Sequence, residues 1–322
     1  MPHFMFIPSK TAFNVYSKFT TLRKYPSIAP LFPPIVHSYY DQTEVKMNRL
    51  GRLISPQFKG KKVAACEFQD NKAFKNPWNA AWIPKMLALD DWLLKGDLHH
   101  IVFRKLALHR TIQDRLMNPN SPITQLVILG SGIDHIGWVF SDKCACFELD
   151  IEPMITFKKK LLPKLNQKVH FNDFDATKNA LDQCLKQQPA FNSNRPSLFI
   201  TEGFIDYIPK ENLVSLLSQI KHINPKNEWM STHFDRSLLS RNQRFFFEFG
   251  VQITGEHLQS NLHKEQVVSI GSNIGFDLIN EWANILELLG NHSIFSEAKL
   301  NRIERKVLHQ KNMNGCSILH FK

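Results

Sequence analysis

Two closely spaced glycines and an acidic residue follow short apolar segments in the middle of this chain. Gly130 and Gly132 begin the loop after Gln125–Leu129, and Asp150 comes directly after Cys144–Leu149. Glycines at this spacing let the backbone turn tightly and approach a ligand closely. A carboxylate eighteen positions after Gly132 can accept hydrogen bonds from both hydroxyl groups of a ribose. The residue types and their spacing therefore predict a site for a ligand that contains a nucleoside.

Acidic residues also follow the next two apolar segments. Asp173 stands two positions after Val169–Phe171, and Glu202 comes directly after Ser197–Thr201. In an open parallel sheet, ligands bind at the carboxyl ends of the strands. A single acidic residue there often only caps the helix that follows, but core packing does not require glycine or acid after four successive strands. We expect these strand ends to form one site, with Asp173 beside an adenine base.

The glycine loop also distinguishes between nucleotide ligands. The dinucleotide fingerprint G-x-G-x-x-G would place its third glycine at position 135, where His135 would obstruct close packing of a helix on a strand. The chain has no G-x-x-x-x-G-K-[ST] motif, which excludes a P-loop. A ligand with a ribose but no pyrophosphate fits better. S-adenosylmethionine is therefore the predicted cofactor, and a nicotinamide cofactor is the alternative.

The segments around these residues predict a doubly wound α/β fold. The apolar segments are short, as parallel strands covered on both faces are. Helical patterns alternate with them, which indicates β-α-β crossovers. The predicted helices of this part are 153–165, 176–188, 209–222 and 276–290. Two further strands are predicted at Glu228–His233 and Ser317–Phe321.

The first 118 residues have a different character. Prolines interrupt residues 1–60, residues 79–93 have helical spacing, and residues 97–117 carry apolar residues every three or four positions. We predict an N-terminal arm and helical cap over residues 1–118. The core then covers residues 119–322, with a variable insertion near 241–275.

The composition excludes several classes of protein. Of the 322 residues, 43% are hydrophobic and 21% are charged, which excludes disorder of the whole chain. The net charge of +11 is spread out, so a nucleic-acid partner is not expected. No apolar stretch approaches the roughly 18 residues of a membrane span, so no membrane partner is expected. Five cysteines without a second Cys/His pair at ligand spacing predict reduced thiols, no metal site and a cytoplasmic location.

Several motifs, in the same order along the chain, resemble those of the leucine carboxyl methyltransferase family. They are LGSGID at Leu129–Asp134, FELDIEP at Phe147–Pro153, TEGFIDYIP at Thr201–Pro209, HRTIQD at His109–Asp114 and NPW at Asn76–Trp78. Together they cover roughly residues 75–235. The resemblance implies a Rossmann-like class I methyltransferase fold, with a mostly parallel, seven-stranded sheet. It also implies transfer of a methyl group from S-adenosylmethionine to an oxygen atom.

The resemblance also implies roles for single residues. Arg110 would pair with the cofactor carboxylate, because a guanidinium group makes bidentate contacts with carboxylates. Asp150 would hold the ribose, with Glu148 as the alternative inside the strand, and Glu202 would face the cofactor amino group. The residues that would contact the rest of the cofactor are Gly130, Ser131, Gly132 and Asp173, and Tyr207 would lie near the acceptor.

The chemical nature of the acceptor decides whether a base is needed. A carboxylate of a small molecule or of a protein C-terminus needs no general base. A hydroxyl group does, and His233 at the end of the fifth strand or Asp235 just beyond it would then be the first choice. The sequence does not indicate an oligomeric state.

The chain departs from the family pattern at two positions, and two other functions stay open. The family commonly continues its first motif with arginines at positions where this chain has Ile136 and Val139. Their loss makes a non-catalytic relative that binds cofactor or a protein partner one alternative. A nicotinamide-dependent oxidoreductase is the other alternative, which the glycine loop and the acid after the second strand favour and His135 disfavours.

Overall fold

The strands of this protein form a single seven-stranded sheet. The computed structural model describes residues 9–24, 28–54, 97–162, 169–253, 255–282 and 315–322. The strands are β1 (Gln125–Leu129), β2 (Ala145–Asp150), β3 (Val169–Asp173), β4 (Ser197–Thr201), β5 (Glu228–Phe234), β6 (Leu278–Trp282) and β7 (Cys316–Phe321). Their order across the sheet is β3-β2-β1-β4-β5-β7-β6, and β7 runs antiparallel to its two neighbours. The doubly wound, mostly parallel sheet predicted from the sequence is confirmed.

Helices cover both faces of the sheet and connect the parallel strands. They are α1 (Lys10–Leu22), α2 (Pro34–Ile54), α3 (Asp97–Met117), α4 (Ile136–Phe140), α5 (Glu152–Leu161), α6 (Leu181–Lys186), α7 (Lys210–Ile223), α8 (Arg241–Ile253) and α9 (Lys264–Ile274). Short 3-10 helices lie at Ala29–Leu31, Ile205–Tyr207 and Arg236–Leu238. No helix in the described part of the chain is long and apolar enough to cross a membrane.

The central strands are buried on both faces. All five residues of β1 and all five of β4 are buried, which explains why their sequences are almost uniformly apolar. Leu126 and Ile128 pack in one apolar cluster, and Val127 and Leu129 pack in a second cluster on the other face. Burial of each such side chain contributes about 1.5–3 kcal/mol to folding.

The N-terminal helices pack directly on the core. Phe19 of α1 and Tyr40 of α2 belong to the same apolar cluster as Leu126 of β1. The Tyr39 hydroxyl donates a hydrogen bond to the backbone carbonyl of Asp134 at 2.8 Å. The helical cap predicted from the sequence is therefore present, and it is anchored on the loop after β1.

Two predicted helices differ from the structure. Residues 278–282, within the predicted helix 276–290, form β6, because Leu278 pairs with Phe321 and Trp282 with Ile318 along the edge of β7. Pairing between distant segments outweighs the local helical spacing here. The helix predicted at 176–188 is shorter, because the Asp175 carboxylate accepts hydrogen bonds from the Thr177 backbone and hydroxyl and forms a turn.

Some predictions fall outside the described residues. These are the helical pattern at 79–93, the motif Asn76–Trp78 and the part of the predicted helix beyond residue 282.

Candidate functional site

The parallel strands bring the glycine loop and the acidic residues to one edge of the sheet. Asp150 at the end of β2 is paired in register with Asp173 at the end of β3. Leu129 at the end of β1 is paired with Thr201 at the end of β4, so Gly130 and Glu202 follow neighbouring strands. The structure therefore brings together the four strand ends that the sequence analysis selected.

Both glycines of the loop have backbone conformations that disfavour side chains. Gly130 has φ +68° and Gly132 has φ +46°, in the left-handed region. A Cβ atom on Gly130 would lie 3.2 Å from Phe204 Cγ and closer still to the edge of that ring. A Cβ atom on Gly132 would lie 3.4 Å from the Cβ atom of Ala12 in α1. Phe204 and Ala12 therefore lie against the loop from two sides.

Asp150 holds the loop through its carboxylate. Gly132 N donates a hydrogen bond to Asp150 Oδ2 at 2.8 Å, and Ile151 N donates to Oδ1 at 2.8 Å. Burial raises the pKa of Asp150, and these two backbone hydrogen bonds oppose the increase. Each carboxylate oxygen keeps a further acceptor position for a ligand hydroxyl. Asp173 beside it is exposed.

Glu148 lies inside the sheet rather than at its edge. It forms a buried ion pair with Lys158 of α5, and Lys158 Nζ also donates to the backbone carbonyl of Ser131 at 3.3 Å. Burial raises the pKa of Glu148, and the Lys158 charge opposes the increase. Of the two acids considered for the ribose, Asp150 is the one beside the loop.

The obstruction expected from His135 does not occur. The buried ring of His135 turns toward the N-terminal cap, where its Nδ1 atom lies 3.1 Å from the Tyr40 hydroxyl. The close approach of helix and strand is made at Gly137 instead, where a Cβ atom would lie 2.8 Å from Glu148 Cδ. The expectation was wrong because the contact point lies two residues further along the chain.

A cluster of buried charges lies beside the loop and the end of β4. Arg104 Nε donates to Glu202 Oε1 at 2.9 Å, and Lys105 Nζ donates to Glu202 Oε2 at 2.8 Å. Lys105 also forms an ion pair with Asp134. Burial raises the pKa of Glu202 against the Lys105 charge. Burial alone would also raise the pKa of Asp134, but the Lys105 ammonium outweighs it and holds that pKa below its usual range.

Sequence reasoning missed Arg104 and Lys105. Both lie in the amphipathic pattern of α3, where two consecutive cations are usually solvated. The signal that could have found them is the alignment of α3 with the sheet. Arg115, near the end of α3, binds Glu228 at the first position of β5, so the start of α3 lies near the carboxyl ends of the strands.

The structure does not bring Arg110 to the charge cluster. Arg110 is six residues after Arg104, about 9 Å along the helix axis toward the amino ends of the strands. Its Nε atom lies 3.5 Å from Asp114 Oδ2. Arg104 is the arginine of α3 that contacts Glu202.

Tyr207 and His233 lie where β4 and β5 end. The Tyr207 hydroxyl is hydrogen-bonded to Thr11, and burial raises the pKa of Tyr207 to about 12. His233 is buried in β5, and its Nε2 atom lies 2.8 Å from the backbone carbonyl of Leu262. Because a carbonyl only accepts, Nε2 of His233 carries the proton. Its Nδ1 atom has no hydrogen-bond partner among the described residues.

The start of α1 is fixed over the glycine loop. Ser9 Oγ donates to Glu256 Oε1 at 2.7 Å, and Thr11 N donates to the same oxygen at 3.1 Å. The Ser9 hydroxyl also accepts a hydrogen bond from Ala12 N at 3.0 Å and so caps the helix. The segment that contains Glu256 thus holds the N-terminal cap against the site.

Within the residues that the structure describes, no group of three His, Cys, Asp or Glu side chains is placed to hold a metal ion. The Cys144 and Cys146 sulfur atoms lie 3.8 Å apart as free thiols near the start of β2.

The sequence matches one family over half of its length. The pattern of the leucine carboxyl methyltransferase family matches residues 60–221. The chain belongs to this family. A relative from Mycobacterium sp. (strain JLS), assigned as an S-adenosyl-L-methionine-dependent methyltransferase, is 31% identical over 109 residues. That match covers 32% of this chain and 35% of the relative, so the chain spans about a third of the curated protein that it matches.

Solved structures share the fold of this leucine carboxyl methyltransferase family member. A DUF574 family protein from Streptomyces avermitilis has a TM-score of 0.54 at 9% identity, over 74% of this chain and 89% of that one. A protein from Thermobifida fusca, assigned as a methyltransferase, has a TM-score of 0.50 at 14% identity, over 73% of this chain and 86% of that one. At these identities the similarity shows the fold alone.

Proposed function

We propose that this protein is an S-adenosylmethionine-dependent O-methyltransferase. Its acceptor is a carboxylate or hydroxyl group of a small molecule or of a protein C-terminus. The observation that carries the proposal is the row of groups along one sheet edge, from Asp173 through Asp150 and Gly132 to Glu202. Family membership and the relative from Mycobacterium support the same activity.

The row of groups has the length and order of a nucleoside joined to an amino acid. From β3 through β2 and β1 to β4 there are three strand spacings, or about 14 Å. Asp150 would bind the ribose hydroxyls, and Asp173 would lie beside the adenine. The buried Ser131 hydroxyl has no partner among the described residues, which fits a ligand atom at the loop.

The opposite end of the row suits a zwitterionic amino acid. Glu202 would accept hydrogen bonds from the cofactor amino group, while Lys105 holds the Glu202 carboxylate in place. Arg104 reaches the residue after Glu202 as well, since a Cβ atom on Gly203 would lie 3.9 Å from Arg104 Nη2. We therefore assign the cofactor carboxylate to Arg104, in place of Arg110.

The protein's task in this reaction is to position the reactants and exclude water. When bound, S-adenosylmethionine supplies a methyl group on a positively charged sulfur, and the neutral thioether that leaves needs little stabilisation. Phe204 and Ala12 lie against the loop, and α1 is held over it by Glu256. Such a closed arrangement keeps the reacting atoms aligned and dry.

The two missing family arginines do not remove this cofactor site. Ile136 is 1% exposed and Val139 is 7% exposed, and both pack in the apolar cluster beneath the N-terminal cap. Arginines at these positions would be buried among apolar side chains, where an unpaired charge is strongly disfavoured. This chain therefore uses the positions to join its cap and its core.

Transfer of a labelled methyl group tests the proposal. The purified protein is incubated with methyl-tritiated S-adenosylmethionine and a cell extract that contains small molecules and proteins. We expect label in an O-methyl product, and an excess of S-adenosylhomocysteine should suppress this labelling while an excess of NAD should not. Binding of NAD without binding of S-adenosylhomocysteine would favour the oxidoreductase, and binding of S-adenosylhomocysteine without transfer to any acceptor would favour a non-catalytic relative.

A further inference from the structure

Asp206 presents an unpaired carboxylate next to the end of β4. It lies in the 3-10 helix Ile205–Tyr207 and is half-buried. Its backbone carbonyl accepts hydrogen bonds from Gln259 N at 2.8 Å and Ser260 N at 3.2 Å. No described residue makes a hydrogen bond or ion pair with its side chain. The main chain thus fixes the position of Asp206 and leaves its carboxylate available.

Side chains from three other elements influence the pKa of the Asp206 carboxyl. Burial raises the pKa of this carboxyl, while the positive charges of Arg236 and Arg104 and the neighbouring His233 side chain oppose the increase. Both arginines are already engaged elsewhere, since Arg104 binds Glu202 and Arg236 binds a different glutamate, Glu248.

Glu256 and Tyr207 are two further titratable groups in the region of Asp206. Tyr207 is influenced by the charges of both Glu256 and Asp206, so these three residues share one region of the site. Glu256 is engaged with the start of α1 through Ser9. Asp206 is thus the acid of this region whose carboxylate has no partner in the described part of the chain.

Two of the side chains that influence the pKa of Asp206 each have a buried nitrogen atom without a hydrogen-bond partner among the described residues. These atoms are His233 Nδ1 and Arg236 Nε. Both side chains are more than nine-tenths buried. Buried polar atoms without partners are rare in folded proteins, and a bound ligand is one explanation for them. These two atoms are a second observation, separate from the Asp206 carboxylate, and they indicate a ligand in the same region.

The order of the strands puts this place beyond the sulfur of the cofactor. In the function proposed above, the cofactor occupies the edge from β3 to β4, with its amino-acid end at Glu202. The next strand is β5, which carries His233. Asp206 follows the end of β4, so it lies beside the region that we assign to the acceptor. This step rests on the proposed function.

We infer that Asp206 is the general base of the reaction and that the acceptor is a hydroxyl group. As the hydroxyl oxygen forms its bond to the methyl carbon, the carbon–sulfur bond breaks and its electron pair goes to sulfur. The hydroxyl proton goes to an Asp206 carboxylate oxygen. The products are a methyl ether, a neutral thioether and a protonated Asp206. An acceptor carboxylate would instead be repelled by the ionised Asp206 and gain nothing from a base.

Binding of small probes tests the acceptor class without turnover. Phenol, aniline and benzoate share a ring and differ in the group that could accept a methyl. We expect phenol to bind the S-adenosylhomocysteine complex at least about tenfold more tightly than benzoate in calorimetry. The isosteric change Asp206→Asn should remove this preference while leaving S-adenosylhomocysteine affinity and the melting temperature unchanged.

Turnover tests the role of the base. With methyl-tritiated cofactor and phenol, Asp206→Asn should lower kcat about 100-fold or more, as loss of a general base does. The kcat of the wild type should fall as the pH is lowered and Asp206 becomes protonated, and the variant should lack this dependence. Asp182→Asn, which removes a partly exposed acid of α6, is the matched control and should behave as the wild type.

The outcomes separate this inference from the proposed function. Methyl benzoate or N-methylaniline formed faster than anisole, or an unchanged kcat in Asp206→Asn, would overturn the role of Asp206. If the wild type and Asp206→Asn form methyl benzoate equally well, the role of Asp206 is refuted, but O-methyl transfer itself is still supported. Equal binding of phenol and benzoate, without label in any probe, would also overturn the inference. Failure of S-adenosylhomocysteine to bind the wild type would instead refute the proposed function.

Discussion

The Lys105 ammonium donates a hydrogen bond to the Glu202 carboxylate at 2.8 Å, in a buried position where α3 meets the end of β4. Its other partner is Asp134, in the loop after β1. One lysine of α3 thus joins two neighbouring strand ends of the sheet. The contact connects a helix outside the sheet to the site that we assign to the cofactor.

Replacement of Lys105 should therefore affect stability and binding together. Lys105→Met leaves two buried carboxylates without this cation, and loss of one partner of a buried pair costs about 3–5 kcal/mol. Urea unfolding should show a destabilisation of this size. The variant should also bind S-adenosylhomocysteine more weakly, because Glu202 is no longer held. Lys178→Met, which removes an exposed partner of Asp175, should leave both unchanged.

Arg104 and Arg110 form a matched pair for testing the cofactor carboxylate site. Arg104→Met should weaken binding of S-adenosylhomocysteine by about 1.5–3 kcal/mol, the value of a hydrogen bond to a charged group. Binding of 5′-methylthioadenosine, which lacks the amino-acid end, should not change. Arg110→Met should leave both affinities at the wild-type values. The reverse pattern in calorimetry would restore the assignment that the family resemblance implies.

Gly137 should tolerate no side chain. In Gly137→Ala the new Cβ atom would lie 2.8 Å from Glu148 Cδ, next to the buried Lys158. Overpacking of this kind costs about 1–3 kcal/mol, which urea unfolding measures. Gly250→Ala in α8 is the control, since its Cβ atom meets nothing within 4 Å. That variant should be more stable by about 0.5–1 kcal/mol. Equal effects of the two changes would contradict the close approach at Gly137.

Glu228 should contribute to stability above its pKa in the unfolded state and lose the contribution in acid. Burial alone would raise the pKa of Glu228, but hydrogen bonds from Arg115 and His320 lower it to about 2. The unfolded value is about 4.3. Because the folded pKa is the lower one, the contribution is present above pH 4.3 and disappears as the pH falls toward 2. In urea unfolding, Glu228→Gln should differ from the wild type more at pH 6 than at pH 3. A difference independent of pH would contradict this account.

The sequence predicts the central part of the fold well because burial on both faces leaves a clear pattern. In β1 and β4 every residue is buried, and both strands are visible as apolar runs. The edge strand β6 has no such pattern, since it exposes Ile279 and is defined by pairing with β7. Its local spacing therefore resembles a helix.

The same contrast holds for the site. The strand-end residues Asp150 and Glu202 were found because a parallel sheet places strand ends together. Arg104 and Lys105 were missed because their position depends on how α3 lies across the sheet. Asp206 lies within a recognised motif, and only the absence of a partner in the described structure distinguishes it. Local patterns reveal strands and loops, whereas ion pairs between distant segments require the packed fold.

The most direct test of the account is a calorimetric titration of S-adenosylhomocysteine into the wild type and Asp150→Ala. Asp150 supports the Gly132 backbone and is assigned to the ribose, so we expect binding to the wild type and no measurable binding to the variant. A variant that stays folded and binds S-adenosylhomocysteine as tightly as the wild type would contradict the assignment of this edge of the sheet to the cofactor.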